Sequence, residues 1–574
     1  MLNSKKFEWV NNEVNLKFAK ELASELNVSN IISKILVSRG VDNYAAAQNY
    51  FRPNFNQFHD GFLMKGMQKS ITRLNSAVRK NESILIYGDY DVDGTCSVAL
   101  MVEFLKKINA KVMHYQPHRE IEGYGISLKS VAWCKENSID LVIALDCGIK
   151  DLKASKSLKE NNVDLIICDH HKPGELLPEA FSILNPKQYD CEYPFKELCG
   201  CGIGFKLIVC YLKHFNLNID LNSFYQLAAV ATAADLVPLI NENRLLVFMG
   251  LKAMNKSSIP PFQLLFEKLN TQNNYNVGDL IFKIAPRINA AGRLDSASVA
   301  TNFLISNIDA AKRNLSKIES INEKRKTIDE QITDQALDQL NKQSIERFTN
   351  FVYSQDWHKG VVGIVASRII EKYYFPTIVL TGKNEIITGS ARSVKGFDLY
   401  KVLNKLKHFF VRFGGHKYAA GLSLKKENLE LFKEAFEAEI KKVIKKEDLI
   451  PKIYIDSELS LDELFEKRNQ NNTPKIYRII KQMEPFGIGN PKPIFIFKKL
   501  INNIPPKIVG ENHIKFQFTD YLTNHLTDAI WFNSIDSYNM VKNAHFMDVV
   551  GTIDENVYKG NRNMQILIKD IRIV

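Results

Sequence analysis

Three aspartates, Asp89, Asp91 and Asp93, stand two residues apart in the sequence DYDVDG. They follow a short apolar run, residues 83–87, which predicts a buried strand. In extended backbone alternate side chains point the same way, so we expect the three carboxylates to face one side. Like charges this close repel each other unless cations lie between them. The pattern is therefore typical of a metal site, and the alternative is a solvated acidic turn.

Other acidic and histidine residues follow apolar elements in the same way. They are Asp146 after the predicted strand 138–145, Asp169, His170 and His171 after the predicted strand 163–168, and Asp235 at the end of the predicted helix 224–234. Further strands are predicted at 111–116 and 181–185, and helical patterns lie between the strands. Near-continuous apolar strands separated by helices favour a parallel sheet covered on both faces. Since ligands collect at the carboxyl ends of such strands, these residues are predicted to meet at one edge.

The ligand types indicate which cations would bind. Carboxylates with an imidazole suit Mg²⁺ or Mn²⁺, and these motifs contain no thiolate that would argue for zinc. Two such ions about 3.5–4 Å apart can clamp a phosphodiester and activate a water. Cys191, Cys199 and Cys201 lie close in sequence without a fourth ligand at a matching interval, so we interpret them as packing residues rather than a zinc site.

Composition sets the broad class. The chain has 574 residues, which predicts three or more domains, and its formal net charge of +12 favours an anionic partner. The eight cysteines are too few for a disulfide framework. No secretory signal and no uncharged run of 18 apolar residues is present, so we expect a cytoplasmic protein without membrane association.

The second half of the chain changes character twice. Residues 311–341 have apolar side chains at intervals of three and four, typical of a long helix that links two lobes or, alternatively, of a coiled coil. Residues 401–446 contain 12 Lys and Arg against five Glu, which indicates either a solvated surface or a phosphate-binding face. Residues 450–574 suggest a small β-barrel. Its predicted strands are 452–455, 494–498, 514–518, 528–532, 549–553 and 564–568, and its interleaved aromatic and basic residues are Phe495, Phe497, Lys499, Lys515, Phe516, Trp531, Tyr558 and Arg562.

The ordered motifs DYDVDG, LDCG, DHH and ADLVPL resemble those of the DHH phosphoesterase superfamily, and within it the RecJ family of single-strand-specific exonucleases. The resemblance runs from about residue 30 to the C-terminus. It includes the sequences EGYG, PRINAAGR, WHKGVVGIVASR, SARS, FGGHKYAAG and PFGIGNP, which begin at residues 122, 286, 357, 390, 413 and 485.

This resemblance implies roles for individual residues. The metal ligands would be Asp91, Asp93, Asp146, His170 and Asp235, with Asp146 bridging two divalent cations, Mn²⁺ or Mg²⁺. Asp89 and Asp169 would orient those ligands, and His171 would face the scissile phosphate. The substrate contacts would be Arg119, Arg293, Ser390, Arg392 and His416. Ser390 and Arg392 are the residues expected to hold a terminal 5′-phosphate.

One residue departs from the wider superfamily. Many small DHH phosphatases have a histidine ligand four residues before the position of Asp91, where this chain has Tyr87. A neutral phenol is a poor ligand for a hard cation. The departure predicts that one metal is bound more weakly, and partly by water or substrate.

The resemblance also implies an α/β architecture in five parts: an N-terminal helical segment (1–60), a parallel-sheet DHH catalytic domain (61–310), a linking helix (311–344), a second α/β domain named DHHA1 (345–446) and an OB-fold barrel that binds single strands (450–574). The implied enzyme is a metal-dependent 5′-to-3′ exonuclease that degrades single-stranded DNA to 5′-mononucleotides in recombination and repair. Its expected partners are single-stranded DNA, a single-strand-binding protein and a helicase.

Three alternatives stay open at this point. An oligoribonuclease or cyclic-dinucleotide phosphodiesterase of the same superfamily would typically end after the DHHA1 domain, and a plain pyrophosphatase would need neither the barrel nor the basic lobe. A non-catalytic strand-binding relative would have lost metal ligands, all five of which are present here.

Overall fold

The computed structural model describes residues 7–271, 274–343, 346–466, 473–520, 525–558 and 561–574. The N-terminal segment begins with a strand, β1 (Glu8–Asn11), where we expected only helices. This strand pairs in parallel with Lys452–Ile455, far along the chain. The expected helices follow as α1 (Leu16–Leu26), α2 (Asn30–Ser38) and α3 (Tyr44–Phe51).

A five-stranded parallel sheet forms the centre of the first lobe, as predicted. Its spatial order is β3-β2-β4-β5-β6, with β2 (Ile84–Gly88), β3 (Val112–Tyr115), β4 (Leu141–Leu145), β5 (Asp164–Cys168) and β6 (Ser182–Leu184). Alternate residues enter different cores: Ile84 and Ile86 pack in one cluster, and Leu85 and Tyr87 pack in another on the opposite face. Both faces of the sheet are therefore covered, which explains the continuous apolar strands.

Helices cover this sheet and extend it to one side. They are α4 (Met67–Arg79), α5 (Val92–Lys107), α6 (Leu128–Glu136), α7 (Leu152–Glu160), α8 (Gly200–His214), α9 (Asn222–Ala234), α10 (Asn241–Lys256), α11 (Pro260–Lys268), α12 (Val277–Asp279), α13 (Ala285–Leu294) and α14 (Ala297–Leu304). A π-helical turn at Leu280–Ile284 joins α12 to α13.

A single 34-residue helix, α15 (Ile308–Asn341), connects the two lobes. Ile318 packs in the core of the first lobe, whereas Ile332, Ala336 and Leu340 pack in a cluster of the second. The apolar periodicity therefore serves two lobes in turn, and the helix is the predicted linker rather than a coiled-coil strand.

The second lobe is a mixed sheet with helices. Its strands, in the spatial order β10-β11-β9-β8-β7, are β7 (Asn350–Ser354), β8 (Thr377–Thr381), β9 (Ile386–Arg392), β10 (Phe410–His416) and β11 (Ala419–Lys425). Only β7 and β8 are parallel. The helices are α16 (Val362–Lys372), α17 (Leu399–Lys405) and α18 (Leu429–Val443).

The C-terminal lobe is a seven-stranded barrel-like sheet. Its spatial order is β13-β14-β18-β19-β17-β16-β15, and an extra pairing of β14 with β16 folds it back on itself. After β12 (Lys452–Ile455), its elements are β13 (Ser457–Glu458), α19 (Leu461–Phe465), α20 (Lys475–Gln482), β14 (Phe495–Asn502), β15 (Lys507–Val509), β16 (His513–Thr519), β17 (Leu526–Trp531), α21 (Tyr538–Val541), β18 (Phe546–Tyr558) and β19 (Asn561–Ile573). Short 3₁₀ helices lie at Phe55–Gln57, Gly61–Leu63, Lys407–Phe409, Lys426–Asn428, Lys446–Leu449 and Ile535–Ser537.

Two barrel predictions were wrong. Lys452–Ile455 forms no part of the barrel sheet, because its partner is β1, and the short strand β15 was not predicted. Phe495, Phe497 and Phe516 are buried, which leaves the half-buried Trp531 as a candidate for base stacking. The side chain of Tyr558 lies outside the described residues.

The N-terminal helices share the barrel's core. Leu22, Ile35 and Leu36 belong to the same apolar cluster as Phe495 and Phe516. Helices α1 to α3 therefore complete the core of the C-terminal lobe. Within the described part of the chain, no helix is both long and apolar enough to cross a membrane.

Candidate metal centre and substrate cleft

The first aspartates lie where β2 passes into α5. Asp91 is the N-cap of α5, and its carboxylate accepts a hydrogen bond from the N–H of Gly94 at 3.1 Å. Asp93 lies in the first helical turn. The extended geometry that we expected for all three aspartates is therefore wrong, because capping by Asp91 starts the helix at Val92.

Asp93 is fixed by the start of another helix. Its carboxylate accepts hydrogen bonds from the N–H groups of Gly200 (2.6 Å) and Cys201 (2.8 Å) at the N-terminus of α8. The side chain of Cys199 caps the same helix, where its Sγ accepts from the Gly202 N–H at 3.3 Å. A helix N-terminus favours negative charge. The cysteines near this position thus pack and cap a helix, as we interpreted them, and all eight are buried and free.

Asp146 follows β4 in the left-handed region, at a φ of 62°. Its Cβ lies against Gly200, where an added Cβ would approach to 2.6 Å. Neither feature was visible in the sequence. Together they place the Asp146 carboxylate beside the start of α8, near Asp93.

The DHH residues follow β5. The buried Asp169 carboxylate accepts hydrogen bonds from the backbone N–H groups of Ile149 (3.0 Å) and His171 (3.1 Å) and lies 2.8 Å from His171 Nδ1. Asp169 therefore fixes His171, the residue expected to face the scissile phosphate, and its predicted role of orienting metal ligands stays a prediction. The hydroxyl of Tyr124 donates to the Asp146 carbonyl (3.1 Å) and lies 3.0 Å from His171 Nδ1. Tyr124 belongs to the EGYG motif, but nothing in its spacing indicated this position.

The predicted ligands meet at one edge of the sheet. His170 Nε2 lies 3.2 Å from Asp146 Oδ1 and 3.7 Å from Asp235 Oδ2. Three sets of side chains have ligand atoms within 4.8 Å of one another: Asp93, His170 and Asp235; Asp146, His170 and His171; and Asp89, Asp91 and Asp146. Asp89 and His171, for which we expected other roles, are thus as close to the cluster as the predicted ligands.

Burial makes the cluster electrostatically unfavourable without a cation. It raises the pKa of Asp89, Asp146 and Asp235 well above the usual range, and neighbouring carboxylates add to the effect. Burial and the charge of Asp91 raise the pKa of Asp93 to about 6. Burial lowers the pKa of His170 to about 3, so this imidazole is neutral and able to act as a ligand.

Buried atoms in the cluster lack hydrogen-bond partners. Among the described residues, nothing bonds to Asp89 Oδ1, Asp146 Oδ1, Asp235 Oδ2 or either ring nitrogen of His170. Such groups are costly to bury unless they are paired or coordinate a metal. Carboxylates with a neutral imidazole match the preferences of Mn²⁺ and Mg²⁺. The residues present therefore fit divalent cations.

Tyr87, at the position where many small DHH phosphatases have a histidine ligand, takes no part in the cluster. Its hydroxyl donates to the Gly125 carbonyl at 2.7 Å, and its ring stacks on Tyr115. The phenol supports the sheet and the loop after it instead.

A cavity of about 420 Å³ opens between the two lobes, and Tyr90, which stands between Asp89 and Asp91 in the sequence, lines it. Four of the five predicted substrate residues line it: Arg119, Arg293, Ser390 and Arg392. Arg119 packs over the Tyr90 ring at 4.1 Å. Arg392 Nη1 donates to Ser390 Oγ at 2.7 Å.

The arginines in this cavity bring several positive charges together. Arg293 donates to the Gly360 carbonyl at 2.8 Å, which joins the lobes, yet its Nε has no partner in the described structure. Burial and the charges of Arg119 and Arg392 lower the pKa of Arg293 to about 9. Positive charges that are buried near one another with few carboxylates are suited to an anion such as phosphate.

His416 lies outside this lining. It is an exposed residue at the end of β10, and partial desolvation, together with the charge of His171, lowers its pKa. Since β10 belongs to the second lobe, His416 lies on the lobe opposite the DHH residues.

Many lysines of residues 401–446 belong to the solvated surface. Lys405 and Lys442 pair with Glu439 on α18, and Lys433 pairs with Glu430. These contacts favour the solvated-surface interpretation for this group.

The chain matches three family profiles: DHH family, N-terminal domain (residues 83–234), DHHA1 domain (347–442) and RecJ OB domain (455–570). It is 33% identical to the single-stranded-DNA-specific exonuclease RecJ of Bacillus subtilis, over 96% of this chain and 69% of that one. The RecJ of Escherichia coli is 30% identical, over 88% and 90% of the two chains.

Solved structures agree with this relationship. The crystal structure of RecJ in complex with Mn²⁺ from Thermus thermophilus superposes with a TM-score of 0.83 at 26% identity, covering 98% of this chain and 79% of that one. A crystal structure of exonuclease RecJ bound to manganese matches at 31% identity with a TM-score of 0.58, over 67% of this chain and 98% of that one. On this evidence the chain belongs to the RecJ family of single-stranded-DNA-specific exonucleases.

Proposed function

We propose that this chain is a metal-dependent exonuclease that degrades single-stranded DNA from its 5′ end and releases 5′-mononucleotides. The observation that carries the proposal is the position of the buried carboxylate–imidazole cluster beside an arginine-lined cavity. The predicted domain bounds, 61–310 for the catalytic domain, 345–446 for DHHA1 and 450–574 for the barrel, form part of the same proposal.

Asp91, Asp93, Asp146, His170 and Asp235 would hold two divalent cations, Mn²⁺ or Mg²⁺. When bound, these ions would supply positive charge to the phosphodiester and make a hydrolytic water more acidic. The titration behaviour of the protein groups suits this role, because His170 stays neutral at physiological pH.

His171 would act on the substrate directly. Although burial opposes it, the hydrogen bond and charge of Asp169 raise the pKa of His171. Asp169 occupies Nδ1, so the protonated Nε2 would remain to donate a hydrogen bond to a phosphoryl oxygen. A positive charge at that point stabilises the charge that develops in the transition state.

The cavity would determine the direction in which the strand is degraded. Ser390 and Arg392 would bind a terminal 5′-phosphate, with Arg119 and Arg293 beside it. A phosphate held there places the next phosphodiester toward the carboxylates, so cleavage would proceed from the 5′ end and release one nucleotide at a time.

Partners and setting follow from this activity. The cleft between the lobes would admit a single strand, and unstacking a duplex end costs a few kcal/mol per step. The sequence has no GxxxxGK[ST] motif to supply that work. We therefore propose that a helicase and a single-strand-binding protein cooperate with the chain in the cytoplasm, in recombination and repair.

The test compares three DNA substrates in Mn²⁺ and in Mg²⁺: a single strand labelled at either end, a blunt duplex, and the same duplex with a 5′ tail. We expect labelled mononucleotides at once from 5′-labelled strands, degradation of the tail, and a sharp slowing at the junction. Comparable rates on the blunt and tailed duplexes would contradict the proposal, as would degradation from the 3′ end.

A further inference from the structure

The short segment after the ligand Asp235 is held by a distant part of the chain. Residues Leu236–Ile240 connect α9, whose C-cap residue is Asp235, to α10. Leu236 is exposed and adopts a φ of 61°, which is uncommon for a residue with a side chain. The Leu239 N–H donates to the Ile488 carbonyl at 2.6 Å. A residue of the C-terminal lobe therefore fixes the backbone four residues beyond a predicted metal ligand.

Ile488 belongs to a tight loop, Pro485–Asn490, which we call the clasp loop. Gly487 and Asn490 exchange both backbone hydrogen bonds, at 2.8 and 3.1 Å. The buried Asn490 side chain donates to the carbonyls of Met483 (3.0 Å) and Pro485 (2.8 Å). Gly489 has a φ of 79°, as the third position of a type II turn requires. The loop is thus internally bonded and can act as a rigid support.

The clasp loop and the 236–240 segment pack without spare room. An added Cβ on Gly487 would lie 2.5 Å from Leu239 Cδ1, and one on Gly489 would lie 3.0 Å from Ile240 Cγ2. Arg244, on α10, donates to the carbonyls of Met483 (3.3 Å) and Glu484 (3.0 Å) beside the loop. The clasp loop therefore contacts the 236–240 segment through backbone and side chains, and Arg244 joins the following helix to the residues just before the loop.

Asp235 depends on its backbone for orientation. Its Oδ2 is buried, and no described residue offers it a hydrogen bond. A ligand must be held within about 0.5 Å of its productive position, which usually requires supporting contacts. For Asp235 the support comes from the end of α9 and from the segment that the clasp loop holds.

We infer that the clasp loop is a positioning element for Asp235, so that docking of the C-terminal lobe sets the affinity of the Asp93, His170 and Asp235 group for a divalent cation. This inference rests on the proposed function, because it takes Asp235 as a metal ligand. It assigns the C-terminal lobe a role in the metal centre in addition to strand binding.

The test is a titration of the metal-free, full-length protein with Mn²⁺, in which free Mn²⁺ is followed by electron paramagnetic resonance. Gly487→Ala would displace Leu239 and with it the backbone after Asp235. We expect at least a tenfold loss of affinity for one ion, the effect usual for residues that orient ligands. Gly174→Ala is the control, since its added Cβ would meet only the Leu176 carbonyl, at 3.5 Å.

Compensation separates positioning from general damage. Leu239→Ala should make room for the new methyl group, so Gly487→Ala/Leu239→Ala should recover Mn²⁺ affinity relative to Gly487→Ala. Wild-type affinity in Gly487→Ala, or an equal loss in Gly174→Ala, would overturn the inference. If Gly487→Ala does not fold, Arg244→Lys loosens the same contact and must also weaken Mn²⁺ binding.

The outcomes also separate this inference from the proposed function. If wild-type protein degrades single strands and Gly487→Ala binds Mn²⁺ with wild-type affinity, only the positioning role of the clasp loop is refuted. Wild-type protein that binds Mn²⁺ with the expected sensitivity but leaves DNA intact would refute the exonuclease alone.

Discussion

Replacing Asp146 with asparagine should make the metal-free protein more stable and the enzyme inactive. Asparagine keeps the shape of the side chain and tolerates the left-handed backbone at a φ of 62° better than alanine would. The substitution therefore removes a negative charge from the cluster with little change in backbone strain.

The size of the effect follows from the packing of the carboxylates. Oxygen atoms of Asp89, Asp91 and Asp146 lie within 4.8 Å of one another. Two full charges at that separation repel by about 3.5 kcal/mol at an effective dielectric constant of about 20. Since burial already favours protonation of Asp146, only part of this repulsion is present at neutral pH. We expect the free energy of unfolding to rise by about 1–3 kcal/mol, and for a cooperative unit of about 250 residues, the size of the first lobe, each kcal/mol should raise the Tm by about 2 °C.

The assay measures thermal unfolding in EDTA and hydrolysis of 5′-phosphorylated single strands in Mn²⁺. Asp190→Asn, which changes an exposed aspartate paired with Lys65, is the control and should alter neither quantity. A bridging ligand serves both ions, so Asp146→Asn should retain less than a tenth of wild-type turnover. An unchanged Tm in EDTA would show that the cluster is not under charge strain, and turnover above a tenth would remove Asp146 from the bridging position.

Three further predictions concern binding of the 5′ end, the salt dependence of strand binding and the pH dependence of stability. Arg392→Ala should slow cleavage of 5′-phosphorylated strands by about tenfold to a hundredfold, since a charged hydrogen bond contributes about 1.5–3 kcal/mol. 5′-Hydroxyl strands serve as the internal control, and equal losses on both would contradict a role in end binding. Affinity for single strands should fall steeply with salt, because counterions are released when phosphates are neutralised, and a flat salt dependence would argue against it. In EDTA, the Tm should rise as the pH falls from 7 to 5. The folded pKa of Asp93, about 6, exceeds its unfolded value, so the folded state takes up the proton first and its stability declines as the pH rises through 6. His170, whose folded pKa of about 3 lies below its unfolded value, opposes this trend, but Asp89, Asp146 and Asp235 reinforce it because their pKa values are raised as well. Added Mn²⁺ should reduce this dependence, because the cation replaces the proton.

Local patterns predicted the sheet and the clustering of acidic and histidine residues. Asp146, the DHH residues and Asp235 come directly after apolar strands or a helix, so the alternation of elements was enough to predict that they meet at one edge. The long helix was predicted for the same reason, because Ile318 and Ile332 repeat on one side of it. These features depend on residues that are close in sequence, so their patterns can be recognised in one sequence alone.

Features that depend on distant contacts were missed. Asp93 was expected on an extended strand, but its geometry is set by N–H groups of α8, more than 100 residues later. The position of Tyr124 over Asp146 depends on how two loops meet. Lys452–Ile455 was predicted as a barrel strand but pairs with β1 instead, and no local sequence pattern indicates a partner so distant in the chain.

That pairing has a consequence for synthesis of the protein. Glu8 is paired with Lys452, 444 positions later. At about 5–20 residues per second, a ribosome needs roughly 20–90 s to add that much chain. During this interval β1 and the apolar faces of α1 to α3 have no barrel to pack against, and the first lobe is completed before the barrel begins to be synthesised. The nascent chain should therefore fold from its middle outward, and its N-terminus is the natural place for a chaperone to act.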